Sequence, residues 1–177
     1  QPAFSPKPSF SFRGLPDTTE IMTDPISLYR DLKRVQVKLL KPLSEIMEWE
    51  ELAHELIRHP SVLCVVNRRD DCRKLWQCMP EGTYHLSALM CGAHRSKIIE
   101  EIKERLKTGI STRVISTQLV EAGVDMDFSV VYRALCGLDS VAQAAGRCNR
   151  EGLLTEGQVF VFRPPTEPPV GHLRQAA

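Results

Sequence analysis

The sequence lacks several features that would place it in a common functional class. It has no G-x-x-x-x-G-K-[S/T] loop for phosphate and no C-x-x-C pair among its six cysteines. No run approaches 18 apolar residues and the start is unlike a secretion signal, so we expect neither a membrane protein nor a secreted one. Charge is nearly balanced, with 23 basic and 22 acidic residues, so any nucleic-acid contact must be local.

The cysteines and histidines do not predict a metal site. Most of the six cysteines lie in apolar periodic segments, which favours reduced thiols in a core over disulfides or a zinc site. His54, Glu55 and His59 have the spacing H-E-x-x-x-H. Histidines five residues apart do not share a helix face, so we reject a metalloprotease site.

Strand and helix patterns alternate along most of the chain. The apolar run Val62–Val66 predicts a strand buried on both faces, whereas the alternation in Arg34–Leu40 predicts a half-buried edge strand. Further strands are predicted at 83–86, 113–116, 130–133 and 158–162, and helices at 25–32, 95–107, after Ser44 and through Cys72 to Met79. The alternation predicts an α/β fold, a parallel sheet with helices on both faces.

Proline-rich ends bound the predicted domain. Residues 1–24 and 164–177 are predicted linkers, and residues 25–163 form the domain between them. In open α/β sheets, ligand loops gather at the carboxyl ends of the strands. We therefore expect the polar residues that follow several strands to share one edge of the sheet: Asn67, Arg68, Ser87, Thr117 and the arginines described next.

A polar stripe is predicted near the end of the domain. On a helix that starts near Asp139 or Ser140, Gln143, Arg147 and Arg150 stand at positions i, i+4 and i+7, with Gly146 beside them. Two guanidiniums that converge at a helix end suit a polyphosphate or its transition state. For the arginines alone, a solvated helix face is the simpler interpretation.

The preceding strand-to-helix turn is a second candidate site. Thr117 and Gln118 open a short helix, and a hydroxyl and an amide at such a turn can bind phosphate oxygens. Asp125 follows Gly123 in a glycine turn, where it accepts a hydrogen bond from a ribose hydroxyl or simply caps the turn.

Together these residues resemble a known family. Thr117-x5-Gly123-x-Asp125 followed by Gln143-x-x-Gly146-Arg147-x-x-Arg150 resembles motifs V and VI of superfamily 2 helicases. The stretch ISTQLVEAGVDMDFSVVYRALCGLDSVAQAAGRCNREG is similar to the helicase-nuclease of type I CRISPR interference, which the Cascade complex recruits. VLCVVNRR and MCGAHRSKIIEEIKERLKTG also resemble that family. The resemblance implies the second RecA-like lobe of such a helicase.

The resemblance implies a role for each candidate residue. Arg147 and Arg150 would reach the γ-phosphate of ATP, and Gln143 would position the water or the phosphates. The nucleotide would be contacted by Gly123, Asp125 and Gly146, with coupling of the ATP and DNA sites as the alternative role of Gly123 and Asp125. The DNA backbone would be contacted by Thr117, Gln118, Asn67, Arg68, Ser87 and Arg95. A surface amide remains the alternative for Gln143, and a helix cap or loop for the weaker DNA-binding candidates.

The resemblance also implies the cofactor and partners. ATP with Mg²⁺ would be held mainly by a first RecA-like lobe that this sequence does not contain, so the isolated chain is expected to be inactive. Expected partners are single-stranded DNA, the first lobe and a nuclease domain of the same polypeptide, and a Cascade-type complex in the cytoplasm. Two alternatives remain, another superfamily 2 DNA or RNA helicase and a non-catalytic docking domain with the same fold.

Overall fold

The computed structural model describes residues 21–121 and 123–167. The chain divides into two compact units, Gln1–Lys33 and Arg34–Ala177. In the first unit, α1 (Pro25–Asp31) matches the predicted short helix. It begins after Asp24, whose side chain accepts a hydrogen bond from the Ser27 N–H at 3.0 Å. Most of the two predicted linkers lies outside the described residues.

The second unit is built on a six-stranded sheet. Its strand order is β1-β6-β5-β2-β4-β3, and every neighbouring pair is parallel. The strands are β1 (Val35–Leu39), β2 (Ser61–Val66), β3 (Tyr84–Leu86), β4 (Thr112–Thr117), β5 (Val130–Ala134) and β6 (Gly157–Phe162). Both the α/β class and the parallel sheet are confirmed.

Helices cover both faces of the sheet, as predicted. The helices are α2 (Trp49–Ile57), α3 (Arg69–Gln77), α4 (Gly92–Lys107) and α5 (Leu138–Ala145). Leu52 of α2 and Leu75 of α3 are buried in one core cluster, whereas Ile102 of α4 and Ala144 of α5 are buried in another. Val62–Val66 is fully buried between the two clusters, because β2 lies at the centre of the sheet. Among the described residues, no helix is both long enough and apolar enough to cross a membrane.

Some predicted details are wrong. Ser44 does not cap α2, which begins at Trp49, because Met47 is buried and its N–H donates to the Arg163 carbonyl at 2.8 Å. α4 begins at Gly92, three residues before the predicted start. β1 is an edge strand, as predicted, since it pairs with β6 alone. Its apolar side chains are less buried than predicted, because none of its five residues is fully buried and Val37 and Leu39 are 51% and 53% exposed.

The cysteines are free thiols, and four of the six are buried: Cys64, Cys72, Cys136 and Cys148. Burial raises the pKa of Cys72 and of Cys148 to about 12. A thiol with so high a pKa is a poor nucleophile and metal ligand. The prediction of core thiols is confirmed for these four.

Candidate functional site

The carboxyl edge of the sheet collects the first group of predicted residues. Asn67 directly follows β2, Ser87 directly follows β3, and Thr117 is the last residue of β4. These strands are neighbours in the sheet, with Val66 in register with Thr117. The predicted gathering of these three residues at one edge is therefore confirmed.

Most polar atoms at this edge are turned inward. Asn67 is 9% exposed, and its amide donates to the Leu135 carbonyl at 2.8 Å. The Ser87 hydroxyl is buried and has no hydrogen-bond partner among the described residues. Thr117 is 9% exposed. The more accessible side chains of the predicted group are Arg68, which is exposed, and Gln118 and Arg95, which are partly buried.

The predicted arginine stripe is not helical. α5 ends at Ala145, with Gly146 as its C-cap, so only Gln143 of the stripe lies on the helix, where it is exposed. Arg147 and Arg150 belong to the following segment, Gly146–Gly152, which we call the arginine turn. The prediction of one helical face from residue 143 to residue 150 is wrong.

Pairing with a distant segment explains why the helix stops. Phe128, just before β5, forms a parallel bridge with Cys148. Its N–H donates to the Arg147 carbonyl and its carbonyl accepts from the Asn149 N–H, both at 2.9 Å. Asn149 then adopts a positive φ of 46°, a conformation that asparagine tolerates better than most residues. These contacts are incompatible with a continuing α-helix.

The arginine turn lies at the amino edge of the sheet. Arg34, just before β1, donates to the Arg150 carbonyl at 2.6 Å, and Asn149 donates to the Arg34 carbonyl at 3.0 Å. The bridge to Phe128 places the turn beside the start of β5. The expectation that the arginines share an edge with Asn67 and Thr117 is therefore wrong, because α5 carries the chain back across the sheet.

Arg147 is a buried arginine that binds backbone carbonyls. It is 8% exposed, and it donates from Nε to the Val120 carbonyl and from Nη2 to the Glu121 carbonyl, both at 2.8 Å. Burial lowers its pKa, as does the nearby charge of Arg150. Arg147 thus ties the arginine turn to the short 3-10 helix Gln118–Val120 that follows β4.

Arg150 is the accessible member of the pair. Its side chain is 46% exposed, and its Nε lies 2.7 Å from Oδ1 of Asp125, whose side chain is 72% exposed. Gly123, two residues before that carboxylate, has a φ of +72°, which glycine adopts without strain. Asp127 accepts hydrogen bonds from the N–H groups of Arg150 and Glu151 at 2.7 and 3.1 Å and thereby orders the backbone of the turn.

A cleft of about 550 Å³ opens beside the arginine turn. It is lined by the end of α4, by Asp125–Ser129 and by most of the segment from residue 149 to residue 154. Its charged side chains are Lys103, Lys107, Arg150, Asp125, Asp127 and Glu151. This mixture does not form a closed anion cradle, but it presents an exposed guanidinium that can contact an anion on an opposing surface. Within residues 21–121 and 123–167, no three His, Cys, Asp or Glu side chains are grouped to hold a metal ion.

Sequence reasoning missed a buried ion pair between these two regions. Arg133 of β5 is fully buried, and its Nε lies 2.8 Å from Oε1 of Glu121, which is 7% exposed. A signal for it existed, because a charged residue in a strand buried on both faces is almost always paired. Asn149 and Asp127 were also missed, since their roles in the turn depend on contacts distant in sequence.

Comparison with known proteins identifies a family. The chain matches the family described as "CRISPR-associated nuclease/helicase Cas3, C-terminal" over residues 58–153, just over half of its length. The CRISPR-associated nuclease/helicase Cas3 of Haloferax volcanii is 40% identical over 90 residues, and that of Methanothermobacter thermautotrophicus is 31% identical over 125 residues. These alignments cover 48% and 70% of this chain, but the chain spans only 10% and 14% of the two relatives.

Solved structures share the fold. The crystal structure of T. fusca Cas3 with ATP matches with a TM-score of 0.61 at 18% identity, covering 81% of this chain and 19% of that one. A chain of a CRISPR RNA-guided surveillance complex, pre-nicking, matches with a TM-score of 0.54 at 18% identity, covering 81% of this chain and 20% of that one. The DUF1998 helicase MrfA bound to DNA and AMPPNP matches with a TM-score of 0.54 at 20% identity, covering 67% of this chain and 18% of that one. The chain thus belongs to the family of Cas3 C-terminal regions, as a RecA-like lobe related to the superfamily 2 helicases.

Proposed function

We propose that this chain is the second motor lobe of an ATP-dependent helicase that moves along single-stranded DNA in CRISPR antiviral interference. ATP would bind between this lobe and a P-loop lobe elsewhere in the same polypeptide. Closure of the two lobes would bring the arginine turn to the nucleotide, and hydrolysis would allow them to reopen. The observation that carries the proposal is the exposed Arg150 guanidinium, held beside Asp125 at the rim of the cleft.

The arginine turn is suited to contact ATP that is bound to the other lobe, across the interface between the two lobes. Arg150 is accessible, its backbone is held by Asp127, and its side chain is oriented by Asp125. A guanidinium fixed before the reaction begins stabilises negative charge that develops on the phosphoryl group without reorganising. Gln143 and Gly146 lie at the end of the preceding helix, and Gly123 keeps the backbone near Asp125 free of a side chain.

The residues present fit a partial ATP contact and not a complete site. Three carboxylates line the cleft together with the cations, so the chain by itself would repel a triphosphate as much as attract it. ATP with Mg²⁺ would therefore be held mainly by the other lobe and would supply the phosphoryl group to be hydrolysed. In this proposal Arg150 contacts the γ-phosphate, and Arg147 acts from its buried position by keeping the turn in place.

The carboxyl edge would form part of the DNA channel. Arg68, Gln118 and Arg95 are accessible enough to contact phosphates, and the Thr117 backbone lies at the end of β4 beside them. Asn67 would act mainly by holding the Leu135 backbone, and Ser87 would line this edge directly after β3. Such contacts grip the strand without reading its sequence.

The proposed partners extend beyond this chain. The same polypeptide would also carry a nuclease domain, and a Cascade-type surveillance complex would recruit it in the cytoplasm. Support comes from the two relatives named as nuclease/helicases and from the surveillance complex that contains a chain of this fold.

The experiment is the ATPase activity of the full-length protein with single-stranded DNA, for wild type, Arg150→Ala and Arg150→Lys. We expect Arg150→Ala to lower turnover by about 10³-fold or more while ATP binding persists, because loss of such an arginine costs roughly 10³ to 10⁵ in other NTPases. Arg150→Lys should rescue little, since an ammonium does not reproduce the guanidinium fork.

The matched control is Arg58→Ala. Arg58 is also an exposed arginine in an ion pair, with Glu55 at 3.1 Å, but it lies at the end of α2. It should leave turnover unchanged. Equal turnover in wild type and Arg150→Ala would favour the alternative of a docking domain that has this fold without its catalysis.

A further inference from the structure

A buried polar network joins the two regions of the proposed motor lobe. At its centre, Arg133 pairs with Glu121 at 2.8 Å and donates from Nη1 to Oδ1 of Asn67 at 2.7 Å. Asn67 in turn donates to the Leu135 carbonyl, at the carboxyl end of β5, at 2.8 Å. Within the described residues, these contacts form a continuous path from Glu121, directly after the 3-10 helix, through Arg133 to Asn67 at the end of β2.

The path also reaches the arginine turn. The Glu121 carbonyl accepts a hydrogen bond from Nη2 of Arg147, while the Glu121 side chain pairs with Arg133. Glu121 is therefore held from two sides, by its backbone and by its carboxylate. A displacement of the arginine turn pulls on the same residue that orients Arg133, and Arg133 holds Asn67 beside Thr117.

Stability does not explain this network. Arg133 faces the same core cluster as Val131, its neighbour two positions along β5, so an apolar residue would satisfy the pattern there. Replacing a buried ion pair by well-packed apolar residues is often neutral or stabilising, since desolvation offsets the attraction. The network is also incompletely satisfied. Nη2 of Arg133 is buried without a hydrogen-bond partner among the described residues, and the 2.8 Å contact between Arg133 Nε and Glu121 Oε1 is an ion pair that lacks hydrogen-bond geometry.

We propose that Glu121 and Arg133 are positioning residues that couple the arginine turn to the carboxyl edge, so that nucleotide binding at one changes the grip on DNA at the other. This inference rests on the proposed function, which places ATP and DNA at those two regions. Buried polar links transmit a displacement better than exposed ones, because packed surroundings allow them few alternative arrangements. Neither residue contacts ATP or DNA in this scheme.

The test uses the full-length protein with an oligothymidylate and a non-hydrolysable ATP analogue as probes. The double variant Glu121→Gln/Arg133→Met removes both charges and keeps similar volumes. The readouts are the ratio of the DNA dissociation constants with and without the analogue, and the ratio of DNA-stimulated to basal ATPase. Thermal unfolding is measured in parallel to show that the variant is folded.

We expect the double variant to keep its nucleotide-free DNA affinity and basal turnover within about twofold, since it removes no binding residue. Both coupling ratios should fall by about tenfold, within the 5- to 150-fold range usual for coupling between sites. The control is Arg113→Met. Arg113 is a partly buried arginine, bonded through Nε and Nη2 to the carbonyls of His59 and Ile57 at 2.9 and 3.0 Å, and it lies outside the network.

Wild-type coupling ratios in the double variant would overturn the inference. If the double variant does not fold, the single variant Glu121→Gln replaces it, because glutamine retains an acceptor for Arg133 but lacks the charge. Unchanged coupling ratios in Glu121→Gln would also overturn the inference. A wild-type protein without DNA-stimulated ATPase contradicts the proposed function itself. The last outcome is a wild-type protein whose ATPase is stimulated by DNA and requires Arg150, while the Glu121 variants keep wild-type coupling ratios. That outcome contradicts only the coupling.

Discussion

Arg150 and Asp125 form an ion pair at 2.7 Å although their side chains are 46% and 72% exposed. An exposed pair of this kind contributes only about 0–1 kcal/mol to stability, because water screens it. Its larger effect is on geometry. The carboxylate restrains a guanidinium whose long side chain otherwise samples many rotamers, and it does so at the rim of the cleft where the proposed ATP site would be completed.

The pair predicts that Asp125→Ala impairs turnover more than stability. The free energy of unfolding should change by less than about 0.5 kcal/mol, as for most surface substitutions. DNA-stimulated ATPase of the full-length protein should fall by roughly tenfold, less than the 10² that a 1 Å misplacement can cost. Glu55→Ala, which breaks the exposed pair with Arg58, is the control and should leave both quantities unchanged. Normal turnover in Asp125→Ala would mean that the carboxylate does not orient Arg150.

Arg147 and Arg150 should differ in their effect on stability. Arg147→Met leaves the buried carbonyls of Val120 and Glu121 without their donors, which we expect to lower the free energy of unfolding by about 2–4 kcal/mol. Arg150→Met should change it by less than about 0.5 kcal/mol. Urea unfolding of the 177-residue chain measures both. Arg147→Lys should recover only part of the loss, since one ammonium cannot reproduce both bonds of the fork. Equal effects of the two methionine variants would contradict the assigned geometry.

The fold was predictable because its signals are local. The apolar run Val62–Val66 and the alternation of strands with helices each restrict the backbone within a few residues. The arginine turn was not predictable in the same way. Its helical spacing is real in the sequence, but the bridge between Phe128 and Cys148 replaces the helix, and its partner lies 20 residues away. Tertiary pairing overrides a local pattern when it satisfies the same backbone groups.

The sequence identified the residues of the candidate site better than it predicted their arrangement. Family resemblance selected Arg147 and Arg150 together, and nothing in their spacing shows that one is buried against backbone carbonyls while the other is exposed. Arg133 illustrates the opposite case. Its charge inside an apolar strand indicates a buried partner, but several acidic residues in the sequence fit that role, and only the packed chain selects Glu121.

Close packing behind the arginine turn predicts that Gly157→Ala is destabilising. A Cβ at this first residue of β6 would lie 2.6 Å from Sγ of Cys148 and 2.9 Å from Cβ of Asn149. We expect a loss of about 1–3 kcal/mol in the free energy of unfolding, as for other overpacked sites. Gly92→Ala, at the start of α4, is the matched control: its Cβ would meet nothing within 4 Å, and it should be neutral or slightly stabilising.

A double-mutant cycle locates the cause. Cys148→Ala removes the nearer of the two clashing atoms, so adding it to Gly157→Ala should recover part of the stability that the glycine substitution loses. Strictly additive effects of the two substitutions would show that the clash with Cys148 is not responsible.

Two partly buried histidines predict that stability falls in mild acid. Burial lowers the pKa of His59 and of His85 from the ordinary 6.5, with the charges of Arg58 and Arg73 acting in the same direction. The unfolded chain therefore binds protons that the native state excludes, so the stabilisation is complete above about pH 6.5 and is lost as pH falls towards the lower native pKa. Burial raises the pKa of Asp71 and of Glu121 from their ordinary values of 3.8 and 4.5. These two groups make stability rise as pH falls, but they act at a pH closer to those ordinary values. We expect urea midpoints to fall between pH 7.5 and 5.5 in wild type and to fall less in His59→Gln/His85→Gln. An identical slope in both proteins would assign the acid sensitivity to other groups.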